Sequence, residues 1–349
     1  MWKNVDALLL RGIAQDAFPG CAVAAGHCNR QLYTGIYGQL APDSPRAVTS
    51  DTCYDVGRLT QAMAVVPLTL IAVERGLLCP DDPIGLWLPE APADKQSITL
   101  SQLLTHTSGM AAHFLLPEEA ESMTDGLNAL LRHPLAGAPG SKVRISDMGF
   151  ILLGFLLEKL FEMPLDKAVR QYVTGPLGLS RTGYLPASGN VAPASAHSEN
   201  EEWQAGQPQD GNARFLHGVS GHAGLFTCLD DAARFASMLA CGGKTDGHVF
   251  LSAQALHLAS TDRTRGLNGA RGYGFGITRR TDPFLGSLWP SGSYGLRDSI
   301  SGSLLAVSPD GFYVTLLANG FTSPRERLEM ERLQKLLLNA AYAAYQHEE

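Results

Sequence analysis

Apolar and polar positions divide this chain into strand-patterned ends and a helix-patterned middle. Met1 to Arg11 reads as a short amphipathic helix. After the Phe18-Pro19-Gly20 turn, Cys21–Gly26 and Arg30–Gly38 predict a β-hairpin. From Arg58 to Arg75 the apolar spacing of Met63, Val66, Leu70 and Val73 predicts a helix, with Gly76 as its C′ residue. Pro67 lies inside that helix and should kink it or remove one hydrogen bond. The middle, about residues 80–260, is mostly helix and loop. A short helix starts after Thr99 or Ser97, and a strongly apolar one runs from Gly149 to Phe161. Thr227 with Asp230 reads as a capping box opening a helix with Leu229, Ala233, Ala236 and Leu239 on its apolar face, ended by Gly242-Gly243. Strand patterns return at Tyr273–Thr278, Ser303–Val307 and Phe312–Leu317, the last two joined by the turn Ser308-Pro309-Asp310-Gly311. A final amphipathic helix covers Arg325 to Tyr345.

This pattern predicts an α+β fold in a single unit, 1–349. Residues 1–57 and 265–349 form an α/β subdomain with one sheet built from both chain ends, and 58–264 form an inserted, mainly helical subdomain. A site belongs in the crevice between the two layers.

Composition narrows the function classes. The chain has 349 residues, 45% hydrophobic and 17% charged, an ordinary globular balance that argues against extensive disorder. A net charge of −7 without blocks of like charge argues against nucleic acid or an anionic membrane as partner. The start lacks the basic and apolar regions of a signal peptide, and no window is long enough for a membrane span. Six cysteines, at 21, 28, 53, 79, 228 and 241, show neither C-x-x-C pairing nor histidines at zinc spacing. They read as reduced, mostly buried thiols in a cytosolic protein that needs no metal or cofactor.

Seven segments, in order, carry a resemblance over nearly the whole chain. They are Phe18-Pro19-Gly20, Asp51-Thr52, Leu86-Trp87-Leu88-Pro89-Glu90, Leu103-Leu104-Thr105-His106-Thr107-Ser108-Gly109, Gly149-Phe150-Ile151-Leu152-Leu153-Gly154, Pro176-Leu177-Gly178-Leu179 and Gly221-His222-Ala223-Gly224-Leu225-Phe226-Thr227. Together they resemble the serine β-lactamase and penicillin-binding-protein-like family, in its class C-like and esterase branch. The resemblance implies a five-stranded antiparallel sheet flanked by helices, plus a helical subdomain. It also implies an S-x-x-K helix start, in which Ser is the acyl acceptor and Lys, one turn later, takes its proton.

Here three catalytic elements depart from that family. Arg58 stands where the Ser should be and Gln61 where the Lys should be. Arg has no lone pair to attack a carbonyl, and a Gln amide is not a base. The family's Y-x-N or Y-S-D element reads Ile145-Ser146-Asp147, so the phenol is gone and a carboxylate stays. The K-T-G or H-x-G element aligns with Arg297-Asp298-Ser299, which keeps a positive charge but loses the Gly. Losing nucleophile, base and phenol together removes the family's acylation route.

The expected protein is therefore a catalytically inactive pseudoenzyme whose crevice takes a small acyl, peptide or anionic ligand, or a protein partner. Arg58, Asp147, Arg297 and Asn212 are the ligand-binding candidates. Asn212 enters through Asp210-Gly211-Asn212-Ala213-Arg214, which resembles a pocket-rim loop of this branch but also reads as a plain turn. Arg58 could bind an anion, or could pair with Asp147 or Asp298, and a direct Arg58–Asp147 ion pair is the expectation. A rival reading is an active serine hydrolase with a displaced nucleophile among Ser146, Thr60, Ser299 and Ser301, with His106 or His222 as base. The histidines otherwise read as struts, His106 in its own loop and His222 in the turn before the next helix. A third reading is a structural subunit of an oligomer.

Overall fold

The apolar runs at the two ends of the chain meet in one sheet. The computed structural model describes residues 2–42, 44–112, 114–186, 189–194, 205–298, 300–319 and 324–348. Its strands are β1 (Gly20–His27), β2 (Arg30–Gly38), β3 (Tyr54–Asp55), β4 (Gly183–Tyr184), β5 (Leu225–Thr227), β6 (Lys244–Thr245), β7 (His248–Val249), β8 (Gly276–Ile277), β9 (Tyr294–Arg297), β10 (Leu304–Val307) and β11 (Phe312–Ala318). The α-helices are α1 (Lys3–Ala14), α2 (Val66–Glu74), α3 (Leu100–Leu104), α4 (Leu116–Glu119), α5 (Gly126–Arg132), α6 (Asp147–Phe161), α7 (Leu165–Val169), α8 (Gly211–Phe215), α9 (Leu229–Ala240), α10 (Ala253–Ser260) and α11 (Pro324–Gln346).

The main sheet has the order β2-β1-β11-β10-β9-β8, with every neighbouring pair antiparallel. That is the antiparallel sheet flanked by helices that the sequence implied, with a two-residue edge strand, β8, as a sixth member. Pairing of Cys21 through His27 with Ala318 through Phe312 joins the two chain ends. Strands β1 and β11 are central and covered on both faces, so they are apolar runs rather than alternations. On one face Val23, Leu304, Ala306, Val314 and Leu316 pack with Leu9 of α1 and with Met330 and Leu337 of α11. On the other, Ala22, Ala24, Leu305, Val307 and Leu317 join Phe235 of α9, Leu68 of α2 and Phe150 of α6 in the larger core. Among the described residues, no helix is long and apolar enough to cross a membrane.

Local chemistry explains where the predicted elements shift. Pro67 does not bend the helix at its own position. Gln61–Val65 form a π-turn in which the Val66 N–H reaches the Gln61 carbonyl, and Pro67 then falls in the first turn of α2, where its missing N–H is not needed. Thr99 and Gln102 make the capping box of α3. The second predicted box is not formed. Cys228 is the N-cap of α9, and Thr227 ends β5, its hydroxyl 2.6 Å from that of Thr182. The strand expected over 273–278 shrinks to Gly276–Ile277, because Gly274 has φ +71° and gives its N–H to the Leu104 carbonyl. The pattern passes over β9, whose four residues include Gly295.

One close backbone approach sets the position of the site. A Cβ on Gly221 would lie 2.0 Å from the Phe150 carbonyl oxygen, so α6 is seated directly on the segment that carries His222. Gly221→Ala is therefore expected to destabilise the fold by about 3 kcal/mol. Chemical denaturation checks this, against a small effect for Gly211→Ala, where a Cβ meets nothing within 4 Å.

Candidate active site

The centre is built outward from Asp55, at the end of β3. Its buried carboxylate accepts the N–H groups of Gly57 (3.0 Å) and Gln209 (2.7 Å). Burial pushes its pKa up to about 6 against these two bonds. The turn they hold puts Gly57 at φ +51°, where a Cβ would sit 2.0 Å from Asp298 Oδ2. Only glycine fits there.

Arg58 follows, and both of its polar ends are committed to carboxylates. Its side-chain Nε donates to Asp147 Oδ1 at 3.2 Å, the ion pair expected from the sequence. Asp147 is the first residue of α6, where a helix favours negative charge. The main-chain N–H of Arg58 donates to Asp298 Oδ2 at 3.3 Å. Burial works against the Arg58 charge, but the Asp147 and Asp298 carboxylates outweigh it and raise its pKa. The paired side chains remain 30% and 21% exposed, so they face an opening rather than a sealed core.

Gln61 is fully buried, and neither its amide nitrogen nor its oxygen has a hydrogen-bond partner among the described residues. It cannot take a proton from anything. Ile145 is half-buried in the loop before α6 and supplies no polar group.

The third element is reversed by strand alternation. Tyr294 and Leu296 of β9 point into the larger core, so Arg297 points to the opposite face, toward α11. There its guanidinium lies 4.9 Å from the Phe284 ring centroid, and its Nη1 donates to the Glu331 carbonyl at 3.4 Å. The positive charge expected at the crevice is thus withdrawn from it, and Asp298 faces Arg58 instead. Ser299 lies outside the described residues. Asn212 is also drawn away from ligand binding: its amide accepts from Leu116 N–H (2.9 Å) and donates to the Phe114 carbonyl (2.7 Å), tying α8 to the start of α4.

The other candidate nucleophiles are held in the backbone. Thr60 donates to the Gly57 carbonyl at 2.7 Å and accepts from Leu225 N–H. Ser146 donates to the Ala111 carbonyl, and Ser301 accepts from Ser303 N–H. All three are buried. His106 is buried too; its Nδ1 accepts from Ser146 N–H at 3.3 Å, so it braces the next loop rather than its own. Burial, together with the charges of Arg271 and Arg58, holds its pKa well below the usual value.

His222 lies between Ser220 Oγ at Nδ1 and Asp210 Oδ1 at Nε2, each 2.8 Å away. This Ser–His–Asp array has the residues of a hydrolytic triad in an inverted setting. Ser220 is 3% exposed, while the Asp210 side chain is 34% exposed and feels the charge of Arg58. The carboxylate, not the hydroxyl, looks outward, and the array buttresses the turn.

Sequence reasoning passed over Asp55 and Arg271, and took Asp210 only as part of its rim loop. Asp55 stands just before Arg58 in the chain, while Asp210 and Arg271 meet the centre from distant segments. Arg271 is set apart electrostatically. Its guanidinium stacks 5.4 Å from the Phe284 ring centroid and makes no hydrogen bond or ion pair among the described residues. Burial and the nearby Arg58 charge bring its pKa down to about 10.

The His222–Asp210 pair carries a pH signature. Burial lowers the His222 pKa, but Asp210 more than compensates, so the folded value lies above 6.5. Its contribution is then complete below the unfolded value and is lost as pH rises through the folded one. The stability difference between wild type and His222→Gln should be largest below about pH 6.5 and shrink above it, as denaturant titrations across pH would show.

Comparisons with known proteins agree with this architecture. A family model described as Beta-lactamase matches residues 5–339. An Escherichia coli K12 protein, named provisionally as a D-alanyl-D-alanine carboxypeptidase, is 28% identical over 320 residues, covering 82% of this chain and 73% of its own. Among solved structures, the hydrolase EstCE1, with promiscuous acyltransferase activity, superposes with a TM-score of 0.79 at 21% identity, covering 97% of this chain and 98% of its own. The D-alanine carboxypeptidase AmpC from Burkholderia cenocepacia gives a TM-score of 0.76 at 20% identity, covering 97% and 98%. With a family model spanning nearly its whole length and the matching antiparallel sheet flanked by helices, the chain belongs to the β-lactamase family.

Proposed function

We propose that this protein is a β-lactamase-family member without serine acylation chemistry, whose crevice binds a small ligand carrying an anionic group, such as an acyl or peptide carboxylate. The observation that carries this reading is the double engagement of Arg58. Its side chain is paired with Asp147, and its main-chain N–H, a donor that could otherwise stabilise an oxyanion, is paired with Asp298. With Arg58 unable to attack a carbonyl, Gln61 unable to act as base and no phenol at Ile145, these three positions cannot carry the family's acylation route. Arg271 suits the ligand's anionic group, because its guanidinium lies near Arg58 and makes no ion pair among the described residues.

The rival reading, hydrolysis by a displaced serine, draws on the hydrolase names of the relatives. Its best candidate is Ser220, whose hydroxyl touches an imidazole.

Incubation with a fluorescent penicillin and with a fluorophosphonate, followed by intact-mass measurement, separates the two. The expected result is an unmodified chain and no turnover of a p-nitrophenyl ester; an adduct on Ser220 would establish the rival. The double variant Arg58→Ser, Gln61→Lys should also fail to turn the ester over, since Ile145 and Asp298 are unchanged. Robust hydrolysis by it would show that neither of those two residues limits the chemistry.

Ligand binding is read separately. In a thermal-shift screen of N-acyl amino acids and peptidoglycan fragments, a hit at a hundredfold excess over its Kd should add about 2.7 kcal/mol of apparent stability. Arg271→Gln should abolish that shift while leaving the melting temperature of the free protein nearly unchanged.

A further inference from the structure

Cysteine spacing in the sequence gives no pairing, but the fold brings two thiols together far from the Arg58 centre in sequence. Cys28 sits in the turn between β1 and β2, at φ +46°, with its N–H bonded to the Gly311 carbonyl. Cys241 is the C-cap of α9. Three side-chain bonds lock these segments together. Cys28 Sγ donates to the Ala240 carbonyl at 3.5 Å, Cys241 Sγ to Asn29 Oδ1 at 3.2 Å, and Ser237 Oγ to the Cys28 carbonyl at 2.9 Å. Each thiol thus bonds the residue next to the other in the chain, Cys28 to Ala240 and Cys241 to Asn29, and both are half-buried, so small reagents can reach them. The other cysteines lack this combination. Cys21, Cys53 and Cys228 are buried and Cys79 is exposed. Cys53 and Cys228 share a small buried cluster with Val191 and Phe226, and the Cys53 thiol is turned to the carbonyls of Asp51 and Arg181.

We propose that Cys28 and Cys241 form an oxidation-sensitive dithiol site, which closes to a disulfide by exchange with a small-molecule disulfide and staples the β1–β2 turn to the end of α9. In the first step one protein thiolate attacks the small disulfide, giving a mixed disulfide and releasing one thiol. The second protein thiol, deprotonated, then attacks the mixed disulfide and releases the other thiol. Two protein S–H bonds are lost, one S–S bond forms, and the small disulfide is reduced to two thiols. Burial and the neighbouring Cys241 push the Cys28 pKa up to about 11, so exchange accelerates as pH rises toward that value. The bond closes a long loop between the sheet and the helix packed on it, which restricts the unfolded chain.

The test uses the full chain with Cys79→Ser, so that the exposed thiol cannot cross-link molecules, and oxidised glutathione at mildly alkaline pH. The expected product has lost two hydrogens and retains no glutathione. Its non-reduced digest contains one peptide pair joining Cys28 to Cys241. Its melting temperature rises by about 5 °C, and dithiothreitol reverses the rise. In Cys241→Ser the joined peptide disappears, a glutathione adduct remains on Cys28, and the rise is lost. Separate glutathione adducts on both wild-type cysteines, two unreacted thiols, or a cross-link that leaves the melting temperature unmoved would each overturn the proposal.

Discussion

The buried carboxylate of Asp298 is the constraint on which the centre depends. It collects the N–H groups of Arg58, Ile300 and Ser301 at 3.2–3.4 Å, while the Asp298 carbonyl accepts the Gln334 side chain from α11. A negative charge that is 2% exposed survives only when its lone pairs are filled. One residue therefore fixes the turn before the π-helical segment, the loop after β9 and the long C-terminal helix together. The same bond explains why Gly57 must be glycine, and it removes the main-chain donor that an acyl-transfer centre would keep free.

The rest of the centre compensates charge instead of concentrating reactivity. Arg58 answers Asp147 and Asp298, and His222 answers Asp210. The hydroxyls of Thr60 and Ser146 are spent on backbone bonds, since buried hydroxyls require partners. Two features stand outside this balance. Gln61 holds an amide with no partner among the described residues, a cost that a well-packed apolar side chain would avoid. Arg271 holds a charge that makes no ion pair among the described residues. The first leaves a polar group facing inward without compensation, and the second leaves a positive charge beside that of Arg58.

Much of the fold was legible because its signals are local. The β1–β2 hairpin, the capping box at Thr99, the apolar helix that became α6 and the turn at Ser308-Pro309-Asp310-Gly311 each need only a few neighbouring residues to be read. The elements that moved did so for tertiary reasons. Thr227 was drawn into a strand by the hydroxyl of Thr182, and the predicted strand at 273 was cut short by a bond from Gly274 to Leu104 in a helix far upstream.

At the centre, sequence alone determined what three side chains cannot do: Arg58, Gln61 and Ile145 supply no nucleophile, base or phenol whatever their arrangement, because chemistry resides in the side chain itself. It also determined that Arg58 would need a carboxylate. The tertiary structure alone decided which carboxylates answer it and which cation is left over. A strand turns alternate residues to opposite faces, so one step along β9 separates Arg297, stacked on Phe284, from Asp298, bonded to the Arg58 main chain. Asp210 and Arg271 reach the centre from segments distant in the chain, and the segments of Cys28 and Cys241 meet in the same way. Such meetings are set by how layers pack, and no spacing along the chain records them.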